Sequence, residues 1–189
     1  MPFIGNQPTA VPLSGADLTD GIITPAKLST TLDLSSKTLT LPAGVGGKVL
    51  QVVHSVNITA DATSSASYVA SSLVASITPS STSSKILIIL HVATNTQSSA
   101  SGAYCHGAIY RDINGGGYSD IYSPIMLGGI KQTTLYVASS SGAEYIDSPN
   151  TTSQCNYKLY FKLTSGTDCL LSNDSTKKSF TLMEIAVWL

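Results

Sequence analysis

From Asn156 to Leu163 the chain alternates strictly. Tyr157, Leu159, Phe161 and Leu163 fall on one side of an extended backbone, and Asn156, Lys158, Tyr160 and Lys162 on the other. Side chains on a strand point to opposite faces with a period of two, so this stretch predicts a strand with one face in a core and one in water. Similar short runs recur from residue 48 to the end: 48–57, 68–78, 85–94, 103–111, 133–138, 168–172 and 180–189. They are rich in β-branched and aromatic residues and separated by Ser, Gly, Asn and Thr clusters, and no helical pattern of ten residues interrupts them. About eight strands of this kind predict an all-β fold, an antiparallel β-sandwich of jelly-roll type. The unbroken apolar run Ile86-Leu87-Ile88-Ile89-Leu90 predicts a strand covered on both faces.

The balance of residues agrees. Of 189 residues, 42% are hydrophobic, enough for a core, while only 11% are charged, against roughly 25% in an average soluble domain. A surface built from small hydroxyl and amide side chains suits sheet better than amphipathic helix. The net charge of −1 offers no cationic footprint for a phosphate backbone, so nucleic acid is not an expected partner. No run of 18 apolar residues predicts a membrane span, and Met1-Pro2-Phe3-Ile4-Gly5 does not open like a secretory leader.

Residues 1–46 read differently from 47–189. Pro2, Pro8, Pro12 and Pro25 exclude a central strand or a long helix. Thr24-Pro25-Ala26-Lys27-Leu28 carries a hydroxyl cap with proline at the first helical position, enough for a brief helical turn. Phe3, Ile4, Val11, Leu13, Leu18, Ile22, Ile23 and Leu28 recur without a sustained period. Such a segment cannot bury its own apolar side chains, so it is expected to be an arm that docks on another surface. Low charge and the apolar ending Val187-Trp188-Leu189 add the expectation of an oligomer.

Catalytic and metal-binding patterns are weak. Ala43-Gly44-Val45-Gly46-Gly47-Lys48-Val49 lacks the hydroxyl residue and the helix that a phosphate loop requires, and reads as a domain-entry turn. His54, His91 and His106 have no ligand spacing, and adjacent Cys105 and His106 point to opposite faces of a strand. Cys105, Cys155 and Cys169 form an odd set without CxxC spacing and are expected to be buried or idle thiols rather than a disulfide framework. Asp112-Ile113-Asn114-Gly115 opens like a calcium loop, but position twelve is Ser123, so it reads as a hairpin turn. Lys177-Lys178 also reads as a turn. No cofactor and no metal are expected. Glu144 and Asp147, in a segment 142–153 read as a surface loop, are the acids best placed to line a cleft for glycoside cleavage. Glu184, inside an apolar strand, must face outward or find a partner. Among the nine tyrosines, Tyr118, Tyr122 and Tyr145 are the candidate receptor contacts, because tyrosine pairs an apolar ring with a polar tip.

The stretch from Pro12 to Leu28, PLSGADLTDGIITPAKL, and Phe3-Ile4-Gly5-Asn6-Gln7-Pro8 before it resemble segments near the N-termini of tail-fibre and other virion surface proteins of tailed bacteriophages. Thr181-Leu182-Met183-Glu184-Ile185 is similar to the last strand of their β-rich modules. The resemblance covers about a third of the chain. It implies a non-enzymatic virion protein whose residues 1–35 contact tail or capsid proteins. It also implies a homotrimer that presents its sandwich to a host-surface glycan. A head decoration subunit that stabilises the capsid is the alternative within that class, and a small carbohydrate-active enzyme the alternative outside it.

Overall fold

The computed structural model describes residues 48–97, 102–130, 136–172 and 176–186. Ten strands run through them: β1 (Val49–Asn57), β2 (Asp61–Thr63), β3 (Val69–Ile77), β4 (Lys85–Gln97), β5 (Ala103–Ile113), β6 (Ser119–Ile130), β7 (Tyr136–Asp147), β8 (Cys155–Ser165), β9 (Asp168–Leu171) and β10 (Lys178–Ile185). All pairings are antiparallel. One sheet runs β3-β8-β5-β6; the other has six strands, in the order β1-β10-β4-β9-β2, with β7 also paired to β4. The expected β-sandwich is the observed architecture.

The alternating strand at 156–163 is β8, and its buried side is the predicted one: Tyr157, Leu159, Phe161 and Leu163 sit in the core with Leu73, Ile88, Leu90, Ile109, Phe180 and Leu182 from both sheets. β1 closes one side of the sandwich through side chains. Gln51 Nε2 donates to Thr78 O at 2.7 Å, Ser55 Oγ to Val74 O at 2.7 Å and Asn57 Nδ2 to Ser72 O at 3.3 Å. Polar residues of one edge strand thus satisfy carbonyls on β3 and on the residue after it, groups that would otherwise be open to pairing with another chain.

Several expectations are corrected. Cys105 and Cys169 are joined in a disulfide between β5 of one sheet and β9 of the other, 64 residues apart, with their Cα atoms 5.6 Å apart. Local spacing cannot reveal such a pair, because the fold alone brings the two inner faces together. Cys155 is free and buried, as expected, and burial pushes its thiol pKa up. Segment 142–147 is the second half of β7, not a loop. Strands β2 and β6 complete the count beyond eight; Pro124, Gly128 and Gly129 within β6 hide its strand character. Lys178 is no turn residue: it is fully buried at the start of β10, its Nζ 2.9 Å from Asp61 Oδ2 and bonded to Thr59 O. The run 86–90 is covered on one face only. Ile86, Ile88 and Leu90 are buried, while Leu87 and Ile89 stay half-exposed on the outer face.

Candidate functional site: a tyrosine platform on the four-stranded sheet

The outer face of β3-β8-β5-β6 carries the most organised group of aromatic side chains. Tyr160 projects from the polar side of β8. Its neighbours in register are Ala70 on β3 and Ala108 on β5, residues too small to cover it. The Tyr110 ring, from β5, stacks on it with centroids 3.9 Å apart and planes at 22°. Tyr68, just before β3, meets Tyr110 edge-on at 6.3 Å, and Tyr118, just before β6, meets Tyr160 at 6.1 Å. The four rings form one continuous strip, and all four are partly exposed. Lysines from β8 flank it: Lys158 Nζ lies 5.3 Å from the Tyr118 centroid and Lys162 Nζ 4.5 Å from that of Tyr68, both within cation–π range.

The hairpin between β5 and β6 sets Tyr118. Asp112 accepts hydrogen bonds from the backbone N–H of Gly115 at 3.1 Å and Gly117 at 2.6 Å, and from Asn156 Nδ2 at 2.9 Å. Gly115 and Gly117 have φ of 80° and 104°, a backbone that favours glycine. The bond from Asn156, with the two N–H groups, holds the Asp112 carboxyl below its usual range. The calcium-like opening is therefore a turn that uses its aspartate on its own backbone, as expected.

Burial, with the carboxylate of Asp120 beside Tyr68 and Tyr110, pushes those two phenols up; burial, then Asp112, does the same for Tyr118. The hydroxyls therefore stay protonated and can donate. The strip offers partly exposed aromatic surface bordered by phenol hydroxyls, two ammonium groups and the Asp120 carboxylate. A pyranose ring is complementary to that, with an apolar C–H face for stacking and hydroxyls around its rim.

Tyr118 alone of the three tyrosines singled out from sequence belongs to the strip. Tyr122 and Tyr145, from β6 and β7, stack on each other with centroids 4.7 Å apart, and Tyr145 packs against the core. Tyr68, Tyr110 and Tyr160 were missed. Tyr160 had a signal, as an aromatic on the polar side of an alternating strand; Tyr68 and Tyr110 had none, since only the pairing of β3, β5 and β8 brings them together.

Glu144 and Asp147 do not share a cleft. Three apart on a strand, they face opposite sides: Glu144 is exposed, while Asp147 is buried and bonded by Arg111 Nη1 at 2.7 and 2.8 Å and by the Tyr157 hydroxyl at 2.7 Å. Burial, reinforced by the Asp147 carboxylate, pushes the Tyr157 phenol far up. Glu184 finds partners as required. Burial opposes its charge, but hydrogen bonds from Ser80 N and Oγ at 2.7 and 2.6 Å and from Gln51 Nε2 at 2.6 Å win, and its pKa is lowered to about 2. The histidines bond locally: His54 to Thr181, His91 to Ser140 and His106 to Thr164. No group of three or more metal-ligating side chains occurs among the described residues. The docking residues Phe3, Ile4, Val11, Leu13, Leu18, Ile22, Ile23 and Leu28, and the turn at 43–47, lie outside the described residues.

No family model matches the sequence, and no curated protein does. Among solved structures, the chain is similar to an Eiger TNF from S. frugiperda (14% identity, TM-score 0.31, covering 55% of this chain and 61% of that one). It is also similar to a chain of infectious bursal disease virus, Gx strain (10%, 0.39, 79% and 42%). A third is the EclA C-terminal domain, a sugar-binding protein (13%, 0.28, 80% and 99%). This chain thus matches less than two thirds of the length of the first two.

Proposed function

We propose that this chain is a surface subunit of a tailed-phage virion that attaches to host-surface carbohydrate through the Tyr68–Tyr110–Tyr160–Tyr118 strip. The observation that carries the reading is the strip itself. Four contacting tyrosines on a solvent-facing sheet, edged by two lysines, form rigid, amphipathic contact area at low entropic cost. The phage assignment rests on the resemblance of residues 3–8 and 12–28 to virion-docking segments. Residues 1–35 join the tail or capsid in this reading, and the sandwich faces outward. It binds without cleaving: the two acids best placed by sequence for glycoside cleavage point to opposite sides of β7. The cross-sheet disulfide suits a particle released into oxidising surroundings after assembly in a host cytoplasm.

Removal of residues 1–35 tests the division of labour. The expected result is a folded protein, absent from purified particles, that still adsorbs to host cells. Incorporation of the truncated chain into particles at the normal level would refute the docking role.

A further inference from the structure

One row on the outer face of the six-stranded sheet is apolar where a free surface would be polar. The pairing registers align Val52, Met183, Leu87 and Ile146 in one row across β1, β10, β4 and β7. The ends of the row are 55% exposed at Val52 and 57% at Ile146, with Met183 and Leu87 half-exposed between them. The next row on the same face reads His54, Thr181, Ile89, Glu144, and the one after it Val56, Ser179, His91, Gly142.

We infer that this face is covered by a second copy of the chain, in place of the homotrimer that the resemblance implies, related to the first by a twofold axis in the interface, nearly parallel to the strands and between β10 and β4. Such an axis turns each row onto itself end for end, setting β1 against β7 and β10 against β4. A twofold interface must be self-complementary, and these rows are, in three different ways. In the first, Val52 meets Ile146 and Met183 meets Leu87, apolar against apolar. In the second, His54 meets Glu144 at both ends. His54 Nδ1 is engaged by Thr181 Oγ1 at 2.9 Å, which leaves Nε2 for an outside acceptor, and Glu144 has no ion-pair partner among the described residues. In the third, Val56, itself 47% exposed, meets Gly142. The face is open around Gly142, a shallow depression bordered by Ile89, His91, Gly142 and Glu144. One operation thus matches apolar surface, charge and shape, and it leaves the tyrosine strip, on the other sheet, free.

Light scattering on the purified full chain tests the pairing. The expected mass is twice the chain mass of 19.6 kDa. Ile146→Asp, at an exposed position that leaves circular dichroism unchanged, is expected to give the single-chain mass at the same concentration. His54→Glu is expected to weaken association about tenfold or more through like-charge opposition, and the swap His54→Glu with Glu144→His to restore most of it. A monomeric or trimeric wild-type chain, a dimer indifferent to Ile146→Asp, or a swap that restores nothing would each overturn the inference.

Discussion

Breaking the Cys105–Cys169 bond should cost this sandwich a large part of its stability. The bond closes a loop of 64 residues. In the chain-entropy account, opening a loop of that length releases about 4 kcal/mol of constraint in the unfolded chain at 25 °C. A domain of this size shifts its melting temperature by about 3–4 °C per kcal/mol, so reduction should lower Tm by roughly 10–15 °C. The assay is thermal unfolding followed by circular dichroism, with and without a phosphine reductant, on protein whose intact mass has first shown the loss of two hydrogens. Reduction keeps both sulfur atoms in the core and so isolates the loop contribution. The double substitution Cys105→Ala with Cys169→Ala also removes packing and should fall somewhat further. Cys155→Ala is the control, since that thiol is free; its reductant-dependent shift should match the unmodified protein's. A Tm that moves less than about 3 °C on reduction of a bond shown to be present would refute the loop-entropy reasoning. A mass showing three free thiols in air-exposed protein would refute the pairing itself.

Two further outcomes follow from the buried polar groups. Asp147→Ala strands the Arg111 guanidinium and the Tyr157 hydroxyl without their shared acceptor and should cost about 3–5 kcal/mol in denaturant unfolding; a loss below about 1 kcal/mol would show that water replaces the carboxylate freely. Glu184, with its pKa lowered from 4.5 to about 2, stabilises the fold fully above its unfolded value. That contribution fades as pH falls from about 4.5 towards 2. In urea titrations across that window Glu184→Gln should flatten the pH dependence, and an unchanged slope would assign acid sensitivity to other carboxylates.

Much of the fold was legible because alternation is a local property. The inner side of β8 followed from Tyr157, Leu159, Phe161 and Leu163 alone, since a strand's two faces are fixed by its own backbone. β6 escaped notice because Pro124, Gly128 and Gly129 depress strand propensity, and tertiary pairing with β5 overrides it. Lys178 read as a turn because a lysine is rarely buried; Asp61, 117 positions earlier, makes its burial tolerable, and such a partner leaves no local trace. The candidate site was legible only in part. Tyr118 carried a signal from its place after a glycine turn. The strip it joins depends on Tyr68, Tyr110 and Tyr160 meeting through the register of three strands, and Tyr122 and Tyr145 found each other instead.

The role proposed for the tyrosine strip is carbohydrate attachment. The most direct measurement is binding of the labelled full chain to an immobilised panel of bacterial surface saccharides, repeated with Tyr160→Ala and Tyr122→Ala after circular dichroism has shown both variants folded. The expected result is that the chain binds a subset of the panel, that Tyr160→Ala weakens this by about 30-fold or more, as for a central aromatic anchor, and that Tyr122→Ala leaves it unchanged. Saccharide binding that survives Tyr160→Ala, or no binding to any saccharide from a susceptible host, would contradict it.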